Sequence, residues 1–216
     1  MALKIAVLIS GRGSNLQALI NACQDPTYPA EIVVVISNEP KAKGIKHARS
    51  AQLPTHIVDH RHYPSRHKFE TQLTSIMLSA GVELICLAGF MRLLSNDFVS
   101  QWSDKLINIH PSLLPAFKGL NAQEQAILSG VKFSGCTVHF VRENMDTGPI
   151  ICQAVVPIND SDNADTLTKK ILEQEHKIYP IAVLWIARGL VSIIKEKTNI
   201  KQIKSPTMSI INPSLK

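Results

Sequence analysis

The sequence predicts an α/β fold: a doubly wound, mostly parallel sheet with helices on both faces and antiparallel strands in the C-terminal part. Short apolar, β-branched runs alternate with amphipathic segments through the first half of the chain. Nearly every residue of these runs is apolar, as expected for strands that helices cover on both faces. After residue 110 the pattern changes to a proline-bounded loop followed by two longer strand-like runs.

The first half of the chain is predicted to form βαβ units. The apolar runs predict strands at 3–9, 31–36, 55–58, 83–88 and 105–109. Between them, apolar residues recur at helical spacing in two groups: Leu16, Leu19, Ile20 and Cys23, then Phe69, Leu73, Ile76 and Met77. Helices at these positions would serve as right-handed crossovers between parallel strands.

The second half is predicted to contain a short helix near 121–129 and strands at 134–141 and 149–157. The polar turn segment between these strands suits a hairpin or a longer β-connection. A long amphipathic helix over 163–188 closes the domain. We therefore expect one domain over residues 1–190 and a C-terminal extension, 191–216, whose weak periodicity predicts partial order.

The composition is that of a globular protein. The chain has 216 residues, of which 45% are hydrophobic and 19% charged, and a formal net charge of +6. This charge favours anionic ligands, either nucleic acid or a small phosphorylated metabolite. The densest basic cluster lies in the C-terminal stretch, where a solvated surface is the simpler interpretation. We expect small-molecule substrates and no nucleic-acid partner.

The N-terminus and the cysteines indicate a cytoplasmic protein. Residues 1–10 lack the cleavage pattern of a signal peptide, and their apolar run predicts a strand. No run approaches the ~18 apolar residues of a membrane span. We therefore expect no membrane partner. The cysteines form no C-x-x-C pair and are expected to be buried, reduced thiols: Cys23, Cys86, Cys136 and Cys152.

The glycine-rich segment 10–15 follows the first strand and opens the first helix. Its glycines let the backbone approach a ligand, and the helix N-terminus offers unpaired N–H groups to a phosphate. It matches neither the dinucleotide nor the P-loop fingerprint. The alternative is a tight turn in which Ser14 or Asn15 caps the helix. Neighbouring Arg12 would add positive charge or face water.

The segment Asn108 to Pro115 ends the fifth strand. Residues two apart in a strand share a face, so Asn108 and His110 project together at the carboxyl end of a parallel strand, where α/β sheets bind ligands. An amide beside an imidazole can stabilise an oxyanion and move a proton, as acyl transfer requires. A polar strand end with a hydrogen-bonded histidine is the alternative for an isolated N-x-H.

Asp146 lies in the polar turn before Gly148 and Pro149. If folding brings it to His110, its charge would favour the imidazolium. An Asx-turn aspartate is the alternative. His139, among apolar neighbours in a strand, is either a satisfied core histidine or part of a pocket wall.

Two further groups of residues are candidate ligand sites. His60, His62 and His67 stand among cationic residues at no zinc-like spacing, which favours a solvated loop and no metal. The apolar segment 90–94 follows the fourth strand and suits either the core or the wall of a site for a flat heterocycle.

Taken in order, a set of motifs resembles the glycinamide ribonucleotide formyltransferases, and this resemblance extends to about residue 190. The motifs are GRGSNLQA (11–18), LAGFMRLL (87–94), NIHPSLLP (108–115), MDTGPI (145–150) and QEHKIYP (174–180). It implies a Rossmann-like formyltransferase catalytic domain that uses 10-formyltetrahydrofolate as formyl donor, without a metal, in purine synthesis, as a monomer or homodimer. The segment 116–123 departs from some relatives, which carry histidines near 121 and 123, and no role is transferred there.

The resemblance also implies residue roles. The catalytic residues would be Asn108, His110 and Asp146. The ribonucleotide would be bound by Gly13, Ser14, Asn15 and Glu175. The formyl-folate would be bound by Arg66, Met91, Arg92, Leu93 and Leu94, with Asn108 touching it as well.

Other interpretations use the same residues. Formyl-folate hydrolases and methionyl-tRNA formyltransferases share the Asn/His/Asp chemistry, but each usually has an extra domain that we do not expect here. A nucleotide-binding or nucleic-acid-binding module that has lost catalysis would also use an anion loop and positive charge. The joint presence of Asn108, His110 and Asp146 argues against that module.

Overall fold

A computed structural model describes residues 1–204, 207 and 209–213, so the remaining positions of the predicted C-terminal extension lie outside the described residues. The strands are β1 (Leu3–Ile9), β2 (Ala30–Ser37), β3 (Thr55–Ile57), β4 (Leu84–Leu87), β5 (Leu106–His110), β6 (Phe133–Phe140), β7 (Ile150–Pro157), β8 (Val191–Ile194) and β9 (Lys197–Ile200). The helices are α1 (Ser14–Cys23), α2 (Gly44–Ser50), α3 (Arg66–Ser79), α4 (Asn96–Gln101), α5 (Ala122–Leu128) and α6 (Ala164–Ala187).

The main sheet has seven strands in the order β3-β2-β1-β4-β5-β6-β7. Strands β1 to β5 are parallel, whereas β6 and β7 join antiparallel. The predicted fold class is confirmed, and each predicted strand and the two predicted C-terminal helices agree with the structure to within about a residue at either end. The strand order reverses between β1 and β4, and a crevice at such a point is the usual ligand site of this architecture.

Two apolar cores cover the two faces of the sheet. In β1, Ile5, Val7 and Ile9 face the core shared with α1, α2 and α6. The alternate residues Ala6 and Leu8 face the core shared with α3 and α4. All of these side chains are fully buried, and each large one contributes about 1.5–3 kcal/mol. The sheet is therefore a rigid platform for the loops at its carboxyl edge.

The cysteines are free thiols. Cys86 and Cys136 are buried as expected, whereas Cys23 and Cys152 are half-buried. Burial raises the pKa of Cys23 to about 11 and that of Cys152 to about 12, so both stay protonated at neutral pH.

The structure adds elements that the sequence pattern did not predict. Helices α2 and α4 are short, with seven and six residues. Strands β8 and β9 form a separate antiparallel hairpin, which includes residues that we expected to be only partly ordered. No helix among the described residues combines the length and apolar character needed to cross a membrane.

Helix α6 connects to the sheet through Tyr179. Its side chain is fully buried. Its hydroxyl donates to the carbonyl oxygen of Leu87 at 2.9 Å, and the carbonyl oxygen of Ile107 lies 3.4 Å from the same hydroxyl. Leu87 is the last residue of β4, and Ile107 is the second residue of β5. The hydroxyl therefore holds α6 in register with the edge of the sheet that carries the site.

Replacing this hydroxyl should destabilise the fold. We expect Tyr179→Phe to lower the free energy of unfolding by about 1 kcal/mol, because the buried carbonyl of Leu87 loses its donor. Urea titration would measure the loss. Tyr63→Phe is the control, since the half-buried Tyr63 hydroxyl makes no hydrogen bond within the described part of the chain. An equal loss in both variants would contradict this role for Tyr179.

Candidate active site

The candidate site lies at the carboxyl ends of β1, β4 and β5. The loop after β1 leads into α1, the loop after β4 contains residues 88–94, and β5 ends at His110. Because β1 and β4 flank the point where strand order reverses, the loops that follow them border the position where sheets of this architecture usually form a ligand crevice. The motifs selected from the sequence therefore converge at one edge of the sheet.

Strand β5 presents Asn108 and His110 from the same face. It pairs antiparallel with β6, which places Asn108 opposite His139 and His110 opposite Thr137. His110 is buried, and its Nε2 lies 2.9 Å from the carbonyl oxygen of Phe117, to which an Nε2–H donates. Asn108 is half-buried, so its amide reaches the crevice.

Folding brings Asp146 to His110. The Asp146 carboxylate Oδ2 lies 3.5 Å from His110 Nδ1 and accepts a hydrogen bond from the backbone N–H of Gly119 at 2.9 Å. The predicted approach is thus observed, and no Asx-turn hydrogen bond from Asp146 is found among the described residues. Both ring nitrogens of His110 face acceptors, so a protonated ring can donate at each.

His139 links the other members of this cluster. It is 2% exposed, its Nδ1 lies 2.9 Å from the Phe140 carbonyl, and burial lowers its pKa. A neutral ring that donates from Nδ1 leaves Nε2 free to accept from the Asn108 amide at 3.4 Å. Asp146 Oδ1 lies 3.8 Å from the same Nε2. His139 is therefore both a satisfied core histidine and the partner that orients Asn108.

The loop before α1 is shaped by tight backbone packing. Gly13 has a φ of +77°, and a Cβ there would lie 2.4 Å from the Cα of Gly44 on α2. Gly13 is also the N-cap residue of α1, and no side chain caps the helix, which corrects the alternative of a Ser14 or Asn15 cap. The first N–H groups of this helix thus lack a side-chain acceptor and can receive an anion.

Asn15 connects this loop to α6. Its Nδ2 donates to Glu175 Oε2 at 2.7 Å, whereas its Oδ1 is buried without a hydrogen-bond partner. Glu175 is 4% exposed, and this burial raises its pKa. The hydrogen bond from Asn15 and the positive charge of exposed Arg12 act in the opposite direction and lower the pKa. The structure thus brings together Asn15 and Glu175, two predicted ribonucleotide residues that are distant in sequence. The Asn15 Oδ1 beside them remains free to accept a hydrogen bond.

The loop after β4 is held by Ser10. The Ser10 hydroxyl accepts from the backbone N–H of Met91 at 2.8 Å and donates to Asn38 Oδ1 at 2.5 Å. Met91 and Leu93 are 65% and 64% exposed and are free to form a wall, whereas Phe90 and Leu94 pack against the core on the α3 face. Sequence reasoning missed Ser10 and Asn38, since a serine beside a glycine motif gives no separate signal.

Helix α3 borders the same loop. Its buried Glu70 accepts hydrogen bonds from the backbone N–H and the hydroxyl of Ser95, just after the apolar wall. Arg66 begins this helix and is exposed, as is Arg92. Of the predicted folate residues, the two arginines, Met91 and Leu93 are therefore exposed, and Leu94 is half-buried.

The histidine-rich segment is not a simple solvated loop. His60–His62 form a 3₁₀ turn capped by Asp59, which is 8% exposed and pairs with Arg61 at 2.7 Å. Arg61 lowers the pKa of Asp59 to about 2. Within residues 1–204, 207 and 209–213, no group of His, Cys, Asp and Glu side chains has an arrangement that could hold a metal ion.

Comparison with known proteins identifies the family. The family described as formyl transferase matches residues 3–183 of the chain. The chain belongs to this family. A crystal structure of glycinamide ribonucleotide transformylase 1 from Symbiobacterium toebii is 44% identical, covers 92% of the chain and 94% of its own, and superposes with a TM-score of 0.90.

Curated relatives are of two lengths. Phosphoribosylglycinamide formyltransferase of Escherichia coli is 42% identical over 187 residues, which is 87% of this chain and 88% of the relative. The trifunctional purine biosynthetic protein adenosine-3 of Gallus gallus is 48% identical over 190 residues. This match covers 88% of the chain, which spans only 19% of the trifunctional protein.

The pKa of Glu175 predicts a pH-dependent stability. A carboxyl with a raised pKa in the fold favours the folded state while protonated, and this contribution is lost as pH rises through the folded pKa. We therefore expect Glu175→Gln to unfold at higher urea concentration than the native protein at pH 7. The difference should shrink as pH falls through the raised folded pKa and vanish below the ordinary glutamate pKa of about 4.3.

Exposed Glu173 on the same helix provides the control. Its substitution by glutamine should change stability little at either pH, because its charge stays solvated. If Glu175→Gln were less stable than the native protein at pH 7, the carboxylate would be stabilising and the burial argument would be wrong.

Proposed function

We propose that the protein transfers the formyl group of 10-formyltetrahydrofolate to the glycinamide amine of 5′-phosphoribosylglycinamide, in purine synthesis. The products would be formylglycinamide ribonucleotide and tetrahydrofolate. The observation that carries this proposal is the approach of the Asp146 carboxylate to within 3.5 Å of His110 beside Asn108, in a chain of this family. The relatives of similar length bear the name of this activity.

The catalytic cluster suits the attack of an amine on a formyl carbon. As the C–N bond forms, the formyl oxygen gains negative charge, and the Asn108 amide and the protonated His110 ring would stabilise it. Asp146 would hold that ring by its charge, and His139 would fix the Asn108 amide. In the substrate complex, the oxyanion would replace the Phe117 carbonyl as acceptor of the Nε2 proton.

Collapse of the tetrahedral adduct completes the transfer. The bond from the formyl carbon to the folate nitrogen breaks, that nitrogen gains a proton, and the attacking amine loses one. His110 would return the proton to the folate nitrogen. The net reaction leaves the enzyme unchanged and needs neither a metal nor a redox step.

The two sides of the crevice would hold the two substrates. The phosphate of the ribonucleotide would meet the N–H groups at Gly13, Ser14 and Asn15, and Glu175 would contact the rest of that substrate. The pterin would lie against residues 91–94, near Arg66. We also propose a cytoplasmic enzyme, as a monomer or homodimer, without nucleic-acid or membrane partners.

Formyl transfer can be tested by folate absorbance with and without the ribonucleotide. We expect deformylation only with the ribonucleotide, and a decrease in kcat of about 10²- to 10⁴-fold in His110→Ala and Asn108→Ala. His56→Ala is the matched control, since His56 is exposed on β3 near the far edge of the sheet and should retain full activity.

The other outcomes identify the rival functions. Equal deformylation with and without the ribonucleotide would make the protein a hydrolase. Absence of turnover in both assays would favour a binding module, and binding to a nucleic-acid column that weakens steeply with salt would then identify a nucleic-acid partner.

A further inference from the structure

The hairpin β8–β9 follows the segment that matches the family description. The family match ends at residue 183, whereas the hairpin occupies Val191–Ile200. It joins none of the strands of the main sheet but packs against β7, next to the connection between β6 and β7. That connection, residues 141–149, carries Asp146 and is called the Asp146 loop below.

Arg142 joins the start of the Asp146 loop to the hairpin. Its Nε donates to Glu196 Oε2 at 2.7 Å, and its Nη2 donates to Asp104 Oδ1 at 2.7 Å. The Arg142 side chain is 20% exposed, whereas the side chains of Asp104 and Glu196 are 57% and 68% exposed. A guanidinium with carboxylates on both sides has little freedom to move, which fixes the backbone around it.

The carboxylates that bind Arg142 stand on unusual backbone. Asp104 has a φ of +60° and Glu196 a φ of +56°, and the neighbouring Lys195 has a φ of +50°. Non-glycine residues in this left-handed region are uncommon and persist where surrounding contacts hold them. Their convergence on one arginine indicates that the contact organises the hairpin turn as well as the loop.

Thr198 holds the other end of the loop. Its hydroxyl donates to the carbonyl oxygen of Ile150, the first residue of β7 and the first beyond the loop. Just before it, Gly148 packs so closely that a Cβ would lie 1.8 Å from the Phe140 carbonyl oxygen. The hairpin therefore contacts the chain at both ends of the Asp146 loop.

From these contacts we infer that the hairpin is a positioning element for catalysis, with Arg142, Glu196 and Thr198 as its positioning residues. It sets the distance between Asp146 and His110 through the two ends of the loop. This inference rests on the proposed function, since it takes from it the role of Asp146. Asp146 has a φ of +54°, and within the described part of the chain Gly119 is its one backbone donor, so its position depends on how the loop is held.

The kinetic test uses the combined variant Glu196→Ala/Thr198→Val in the full chain. We expect kcat to fall about tenfold while KM for both substrates stays within about twofold, because a displacement well under 1 Å acts on the chemical step. Lys195→Ala is the matched control, being in the same turn with the same backbone conformation. Thr198→Ser keeps the hydroxyl and should retain kcat.

A double-mutant cycle separates positioning from general damage. In an Asp146→Asn background the hairpin substitutions should lower kcat by less than about twofold, since the group they position is already altered. An equal decrease in both backgrounds, or a change in KM alone, would overturn the inference. The single variants Glu196→Ala and Thr198→Val serve if the combined variant does not fold.

A readout without substrate keeps this inference separate from the proposed function. The Gly119 amide, which donates to Asp146, should exchange its hydrogen about fivefold or more faster in the combined variant. Unchanged exchange would overturn the inference whatever the kinetics show. If the native protein transfers no formyl group, the proposed function fails, and Gly119 exchange still decides whether the hairpin positions the loop.

Discussion

The pairing of β5 with β6 is the constraint on which the site depends. β5 is the last parallel strand, and it meets an antiparallel neighbour on its other side, which sets Asn108 directly opposite His139. Side chains alternate between the faces of a strand, so a shift of one residue would turn Asn108 and His110 away together. β6 then runs antiparallel to β5, and the loop between β6 and β7 folds back so that Asp146 lies 3.5 Å from His110.

Burial of the Glu175 carboxyl group costs stability, and the proposed ribonucleotide site accounts for this cost. Burial of this side chain raises its pKa, and its partner Asn15 keeps an unsatisfied oxygen. A core selected only for stability would exclude both features. Their place beside the open N-terminus of α1 fits a polar surface that awaits a substrate, as functional sites often hold perturbed acids.

Sequence pattern was sufficient for the sheet but not for the contacts that complete the site. Buried strands carry long apolar runs, so their positions could be read directly. The turn at Lys195 and Glu196 adopts left-handed backbone without glycine or asparagine, which is why the hairpin gave no turn signal. The meeting of Asp146 with His110, and of Ser10 with Met91, arises only when distant segments pack, and no local periodicity encodes it.

Helix α6 carries two buried residues, Glu175 and Tyr179, that contact different parts of the candidate site. Glu175 accepts from Asn15 in the first turn of α1, and the hydroxyl of Tyr179, four positions later, meets the carbonyl oxygens of Leu87 in β4 and Ile107 in β5. About 6 Å of helical rise therefore sets the offset between them. Substitution of the exposed Lys177 between them would leave both contacts in place. A one-residue insertion, by contrast, would rotate Glu175 by about 100° relative to Tyr179. The four-residue spacing between Glu175 and Tyr179 therefore matters more to the site than the identity of the residues between them.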